Sequence, residues 1–400
     1  MTKIEQVVPA IRMMLSRNGL KTLTVLDSVP VMDFLTALKD LKTIGDLFYL
    51  CSDSVELNHI QQEITKFEKK YDRLPKILLV KGLGAIAVGD NAAESRALAD
   101  AFASKIEASG ELPAIDLPEP AGKVCTGRAA GKVIIVTGAA QGFGEGIASC
   151  LMGQGANIVV ADLNEEAGRA TVERLNANAA GNRAIFVKTN VAEMESLENL
   201  ISETVHEFGG LDVFVSNAGV LRAGGIEEMT PETFDFVTKI NYNAYFYCVK
   251  AVAPVMKLQN KYSDANFGDI IQVNSKSGLR GSKANFAYAG GKFGGIGLTQ
   301  SFALELAPFR IKVNSICPGN FYEGPLWSDP ENGLFIQYLN AGKVPGAKTV
   351  EDVRRHYMAQ VPMGKGTTPQ NVTKAILYAI EQTCETGQAI PVTGGQIMLS

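Results

Sequence analysis

The run from Lys132 to Asn164, KVIIVTGAAQGFGEGIASCLMGQGANIVVADLN, limits what this 400-residue chain can fold into more than any other stretch. An apolar strand leads into a glycine turn, then a helix with apolar positions at Ile147, Ala148 and Leu151, then a second apolar strand, which together make a βαβ unit. Further runs follow at the rhythm of a parallel sheet: AIFVKTNV, LDVFVSNAG, GDIIQVNS, IKVNSICPG and QAIPVTGG. Their unbroken apolar character predicts strands covered on both faces.

Together these runs predict an α/β fold, a doubly wound parallel sheet of the Rossmann type over residues 121–400, preceded by a smaller α/β domain over residues 1–120. In such sheets ligands lie beyond the carboxyl ends of the strands, and here those ends carry Asn190, Asn217, Ala218, Gly219, Ser275, Pro318 and Gly319. Gly138, Gly142 and Gly144 have the form TGxxxGxG, in which absent side chains let backbone amides and a helix N-terminus approach a pyrophosphate. Asp162 ends the second strand, eighteen residues after Gly144. A carboxylate there accepts hydrogen bonds from the adenosine ribose hydroxyls and repels a 2′-phosphate, so NAD is expected over NADP. Ala139, Ala140, Leu163 and Asn164 offer no cation to hold that extra phosphate. The alternative makes Asp162 an N-cap for the helix NEEAGRATVERL.

Chemistry concentrates in Val273 to Lys292, VNSKSGLRGSKANFAYAGGK. Ser275 ends a strand, Tyr288 follows thirteen residues later, and Lys292 stands four residues beyond Tyr288 in a segment that reads as helix. Residues four apart share a helix face, so the ammonium and the phenol can meet one ligand. Free tyrosine ionises near ~10. A nearby lysine plus an oxidised nicotinamide is expected to lower that value enough for proton transfer near neutrality. A YxxxK pair by itself is ordinary helix surface, and the case rests on its surroundings.

TGAAQGFG, SNAG, Asn241 in KINYNAYF, Ser275, YAGGK and the Pro-Gly after the sixth strand stand in the order and spacing of the short-chain dehydrogenases/reductases. Residues 131–400 resemble that family. The resemblance implies an NAD-dependent enzyme in which Tyr288 is the acid/base, Ser275 positions the substrate carbonyl, Lys292 holds the nicotinamide ribose and lowers the tyrosine pKa, and Asn241 anchors a proton-relay water. It also implies cofactor contacts from Gly138, Gln141, Gly142, Phe143, Gly144, Asp162, Asn190, Val191, Asn217, Ala218, Gly219, Tyr288, Lys292, Pro318 and Gly319. Asn190 stands where the family usually has an aspartate near the adenine, and Ser216 replaces the first asparagine of NNAG. Both keep hydrogen-bonding capacity, so adjusted adenine contacts are expected.

The segment after Gly319, which holds the only tryptophan, resembles the family's substrate lid, and its wording is most similar to sorbitol-6-phosphate 2-dehydrogenase-like members. The resemblance implies a polyol or polyol phosphate as the small-molecule partner. Lys276, Arg280 and Lys283 after the serine, with Lys343, Lys348, Arg354 and Arg355 in or near the lid, are enough to pair with a sugar phosphate. Against this, lysines on exposed loops are usually solvated. An unphosphorylated polyol, lactaldehyde and a non-catalytic NAD-binding sensor are the alternatives.

Upstream, helix-like and strand-like runs alternate, and Lys76 to Ala108 resembles the last segment of class II zinc-dependent aldolase domains fused ahead of dehydrogenases. The histidine cluster of those aldolases has no counterpart here, so a remnant kept for structure or assembly is expected. Ser109 to Gly131, with prolines at 113, 118 and 120, reads as a linker that keeps the two units separate, with the boundary near 120.

A net charge of −4 gives no footprint for nucleic acid or an anionic membrane. No apolar run reaches the ~20 residues that span a bilayer. The N-terminus lacks a signal-peptide core, and a cytoplasmic protein is expected. The six cysteines are scattered, and His59, His206 and His356 show no metal-ligand spacing, so no metal is expected. Helical segments 231–259 and 285–306 carry apolar residues on more than one side, among them Ala244, Tyr245, Phe246, Tyr247, Phe302, Leu304 and Leu306. That surface predicts a homotetramer, or at least a dimer. The alternative is a monomer in which the N-terminal domain caps those helices.

Overall fold

The computed structural model describes residues 1–38, 48–112, 126–340 and 342–398. The chain begins with α1 (Lys3–Leu15), β1 (Thr22–Leu26), α2 (Val29–Ala37), β2 (Tyr49–Ser52), α3 (Leu57–Tyr71), β3 (Ile77–Val80), β4 (Gly84–Gly89) and α4 (Ala92–Ser109). Thr2 and Glu5 form a capping box that starts α1, and Asn91 caps α4 while left-handed Gly110 ends it. The four strands pair in the order β1-β4-β3-β2. Val31, Leu35, Leu98 and Phe102 of α2 and α4 pack with Ile77, Leu79, Ala85 and Ala87 on one face. Helices α1 and α3 cover the other with Val7, Ile11, Ile60 and Ile64 against Leu78, Val80 and Ile86. Helix α2 has no counterpart in the sequence reading. The proline-bearing part of the expected linker, and the boundary near 120, lie outside the described residues.

The second half runs β5 (Val133–Thr137), α5 (Gly142–Met152), β6 (Asn157–Asp162), α6 (Glu165–Asn176), β7 (Ala184–Lys188), α7 (Met194–Phe208), β8 (Val213–Ser216), α8 (Pro231–Thr238), α9 (Ala244–Lys261), β9 (Gly268–Val273), α10 (Phe286–Leu306) and β10 (Ile311–Pro318). It ends with α11 (Pro325–Ser328), α12 (Leu334–Asn340), α13 (Val350–Ala359), α14 (Pro369–Glu381) and β11 (Ala389–Val392). Its strands form a seven-stranded sheet in the order β11-β10-β9-β8-β5-β6-β7, parallel at every pairing. Alternate residues of β5 face opposite layers: Ile134 and Val136 meet Ile147 and Ile376 of α5 and α14, and Val133 and Ile135 meet the side that holds α7 and α9. Covering is incomplete at the edges, where all four residues of β11 and the middle of β7 are only half-buried. An edge strand has one neighbour, and the helices do not extend past it.

The two units are not separate. Helix α1 packs on α7 and α9, and one continuous core runs from Val8, Ile11 and Leu23 to Val205, Phe208, Val249 and Val252. Left-handed Gly209 ends α7, and a Cβ there would lie 2.6 Å from the Leu23 Cβ, so the glycine admits β1. At the centre, the Arg12 guanidinium donates to Asp212 Oδ1 and Oδ2 at 3.0 and 2.8 Å, and both side chains are 0 % exposed. Arg12 Nε donates to the Lys21 carbonyl, and Asp212 Oδ2 accepts from the Val133 amide at the start of β5. Arg96 and Arg183 flank Glu207 in a second bridge between the units.

Burial alone would raise the Asp212 carboxyl, but the charge and hydrogen bonds of Arg12, with Lys132 and the Val133 amide, hold it below the ordinary carboxylate range. A depressed carboxylate contributes stability that is present above its unfolded pKa and lost as pH falls through the folded one, so the pair holds down into acid. Removing one partner leaves a buried, uncompensated charge. Arg12→Met is expected to cost about 3–5 kcal/mol in urea unfolding, and a cost below about 1 kcal/mol would show that the pair does not hold the units together.

Candidate active site

Strand order reverses between β5 and β8, and the polypeptide departs in opposite directions from their carboxyl ends. A cavity of about 1010 Å³ opens there, lined from Gly138 and Asp162 through Ser275, Tyr288 and Lys292 to Trp327, Tyr338 and Tyr357. Thr137 is fully buried beneath the crevice. Its hydroxyl oxygen accepts from the Asn217 and Ala218 amides at 3.0 and 3.1 Å, and Asn217 Nδ2 donates back to the carbonyls of Thr137 and Gly138. The Asn217 side chain therefore holds the glycine loop, and Thr137, the first residue of the TGxxxGxG form, supports it from below.

Gly144 is forced by packing, since a Cβ there would lie 2.0 Å from the Gly138 carbonyl oxygen. Gly142 differs: at φ +62° it faces open space, with only the Pro325 ring 3.9 Å from a Cβ position. No side chain caps α5, so its first amides remain free for an anion. Asp162 accepts from the Ala140 amide at 2.9 Å and the Asn164 amide at 3.0 Å, while the N-cap of α6 is Asn164. The capping alternative for Asp162 is thereby replaced by one in which it braces the glycine loop and lines the cavity beside Leu163, Asn190 and Val191. Among the described residues, no lysine or arginine lines that end. Asn190 accepts from the Ala192 amide and donates to Glu193. An open glycine, an uncapped helix N-terminus and a terminal carboxylate fit a dinucleotide.

At the other end, α10 brings Tyr288 and Lys292 beneath Ser275. Lys292 is 4 % exposed, its Nζ donates to the Val273 carbonyl at 3.1 Å and lies 5.5 Å from the Tyr288 ring centre. The Tyr288 hydroxyl bonds to Ser275, and Ser275 Oγ accepts from the Ser277 amide. Asn274 locks this arrangement: its Nδ2 donates to the Lys292 carbonyl at 2.9 Å and its Oδ1 accepts from the Ser275 amide at 2.8 Å. Burial pushes Tyr288 upward, only partly offset by Ser275, and burial lowers Lys292 to about 8. The expected lowering of Tyr288 by Lys292 is thus absent in the protein alone, because both groups are desolvated together.

Between α8 and α9 the helix widens into a single π turn, Lys239–Asn243, which sequence periodicity did not reveal. It carries Asn241, whose Nδ2 donates to the Val220 and Val237 carbonyls at 2.7 and 2.9 Å. Asn241 Oδ1 is buried without a protein partner, and a Cβ on Gly219 would lie 2.8 Å from it and 3.7 Å from Lys292 Nζ. Residues 319–340 and 342–361 form a lid with its own aromatic core, in which Trp327 stands 5.1 Å from Tyr322, 5.0 Å from Phe335 and 5.2 Å from Tyr357. Phe321 meets Phe143 at 5.0 Å, which brings the lid against the glycine loop.

The basic residues divide. Lys276, Lys283 and Lys343 line the cavity, together with Lys239, whereas Arg354 pairs with Glu323 and Arg355 with Asp352. Arg280 and Lys348 are not among the cavity-lining residues. Among the described residues, no group of three or more His, Cys, Asp or Glu side chains is placed to hold a metal ion, and no helix is long and apolar enough to cross a membrane.

The family model for short chain dehydrogenases matches residues 132–328. Trans-4-hydroxycyclohexanecarboxylate dehydrogenase of Sinomonas cyclohexanicum is 33% identical over 275 residues, 67% of this chain and 94% of the relative. Sorbitol-6-phosphate 2-dehydrogenase of Escherichia coli K12 is 33% identical over 269 residues, 67% of this chain and 99% of the relative. The crystal structure of sorbitol-6-phosphate 2-dehydrogenase from Erwinia amylovora, at 33% identity, matches with a TM-score of 0.61 over 67% of this chain and 100% of that one. With its sheet order, its glycine loop and these relatives in agreement, the chain belongs to the short-chain dehydrogenase family.

Proposed function

We propose that this enzyme uses NAD to interconvert a secondary alcohol and a ketone on a sugar alcohol, a polyol phosphate such as sorbitol 6-phosphate in particular. The observation that carries the reading is the meeting of Ser275, Tyr288 and Lys292 in the same cavity as the open glycine loop and Asp162. Bound NAD would rest on Gly142, the α5 N-terminus, Asp162 and Lys292, and supplies the hydride acceptor. Ser275 donates to the substrate oxygen and fixes the carbinol carbon. Tyr288 takes the hydroxyl proton, and Lys292 stabilises the phenolate as a cation 5.5 Å from the ring. Asn241 Oδ1, unpartnered beside Lys292, suits a water that passes the proton on. The Asp162 carboxylate and the absence of cations around it support NAD over NADP. The relatives that act on sorbitol 6-phosphate and the lysines of the substrate end support the phosphorylated substrate over an unphosphorylated polyol or lactaldehyde. The intact Ser, Tyr and Lys set favours an enzyme over a non-catalytic sensor, and the cytoplasm is its proposed setting.

Tyr288→Phe keeps the ring and removes the proton path. Turnover should fall at least about 100-fold, with NAD affinity by calorimetry changed less than about threefold and NADP bound more weakly than NAD in both proteins. Retained turnover would reject the role of Tyr288, and equal affinity for NADP would reject that of Asp162.

The N-terminal unit, residues 1–120, is read as a remnant resembling the end of a class II aldolase domain, kept as a brace for the dehydrogenase at 121–400. Measurable aldol cleavage would contradict this. A homotetramer or dimer is supported by the outer face of α10. Phe293 and Leu304 are 46 % and 81 % exposed there, and a Cβ on Gly290 or Gly297 would have nothing within 4 Å. Interior helix glycines cost about 0.5–1 kcal/mol each relative to alanine, and a closely packed second helix gives them a use. Light scattering at micromolar concentration should give a multiple of the 42.8 kDa chain, and Gly297→Leu with Leu304→Lys should reduce it; a monomeric wild type would refute the assembly.

A further inference from the structure

The cavity has one region that the dehydrogenase chemistry does not use. Lys283, in the loop after Ser275, and Lys343, in the lid, both line it, and neither forms an ion pair with a carboxylate among the described residues. Lys343 Nζ lies over the Tyr338 ring, 3.8 Å from its centre, so the lid's aromatic core fixes its position. Lys276 lines the same cavity, half-buried and also without an ion pair among the described residues. Among the described residues, the acids lining the cavity are Asp162 and Asp329, and Asp329 is engaged by the amides of Glu331 and Asn332. Three cations gathered without a counter-charge cost electrostatic energy that an anionic ligand would relieve.

A second observation points the same way. Asn285 is 7 % exposed and lines the cavity one helical turn before Tyr288. The Tyr338 hydroxyl reaches its amide, yet the Asn285 side-chain oxygen has no hydrogen-bond partner of its own. A buried acceptor without a donor is costly, and a ligand hydroxyl would satisfy it. Asn285 meets Tyr338, and Tyr338 carries Lys343 over its ring, so the unpaired acceptor and the lid's cation share one neighbour within the cavity that holds Tyr288 and Lys283.

We propose that Lys283 and Lys343, supported by Lys276, hold the phosphate monoester of the substrate while Asn285 accepts from one of its hydroxyls, and that this phosphate draws the lid onto the body. The inference deepens the reading of the enzyme as a polyol phosphate dehydrogenase and rests on it. Lys343 belongs to the lid and Lys283 to the body, so without an anion the two charges oppose closure. Consistent with their proximity, burial and then the Lys283 charge push Lys343 below its ordinary value, and burial brings Lys276 to about 8. A dianion between them turns the same pair into a latch.

The lid carries the only tryptophan, Trp327, which reports closure without turnover. Inorganic phosphate added to the full-length enzyme saturated with NAD, so that the pyrophosphate site is filled, should change Trp327 emission saturably. Lys283→Met and Lys343→Met should each weaken that response about 10- to 100-fold, the range expected for losing a charge-assisted hydrogen bond, and should lower the ratio of kcat/KM for sorbitol 6-phosphate over sorbitol by a similar factor. Circular dichroism matching the wild type confirms that the variants fold. NAD reduction by wild type with no discrimination between the two polyols and no phosphate response would overturn the subsite and leave the reaction standing. A saturable, lysine-dependent response with no NAD reduction from either polyol would keep the subsite and overturn the reaction.

Discussion

Strands β5 and β8 are tied to each other at both ends, and the rest of the molecule hangs on that pair. At their amino ends the Asp212 carboxylate takes the first amide of β5 and, on its other side, the Arg12 guanidinium of the N-terminal unit. At their carboxyl ends Thr137 and Gly138 accept four hydrogen bonds from Asn217 and Ala218 across the crevice in which the glycine loop sits. Parallel strands that diverge in connection leave a gap at the carboxyl edge, and a gap is useful as a binding site only if its walls are rigid. Here one set of bonds fixes the walls and the other anchors the brace behind them.

The cavity is also sorted by charge. Asp162 marks one end, where no cation among the described residues lines the wall, and Lys276, Lys283 and Lys343 line the cavity elsewhere. Lys292 stands between, buried and bonded to the Val273 carbonyl. Tyr288 and Lys292 are both desolvated, and burial disfavours the charged form of each.

Much of this was legible in the sequence because it is encoded locally. The glycine loop, the apolar strands and the Ser275, Tyr288, Lys292 spacing each depend on residues near one another in the chain, and all appear where the pattern puts them. What escaped was set by distant partners or by small changes of geometry. Arg12 and Asp212 are 200 residues apart, so a linker rich in proline suggested separate units where the fold has a shared core. The π turn at Asn241 adds one residue to a helix whose apolar pattern otherwise continues. Among seven basic residues suggested for a phosphate, only Lys276, Lys283 and Lys343 line the cavity, because the lid's own ion pairs take up Arg354 and Arg355. Lys239, which also lines it, carried no sequence signal.

The central claim is that the convergence of Ser275, Tyr288 and Lys292 on the dinucleotide cavity moves a hydride from a secondary carbinol carbon to NAD. The most direct measurement uses sorbitol 6-phosphate deuterated at C2, with proton NMR of the recovered cofactor. The account predicts one deuteron at C4 of the reduced nicotinamide for each ketone formed. Ketone formation with no label in the nicotinamide would contradict it.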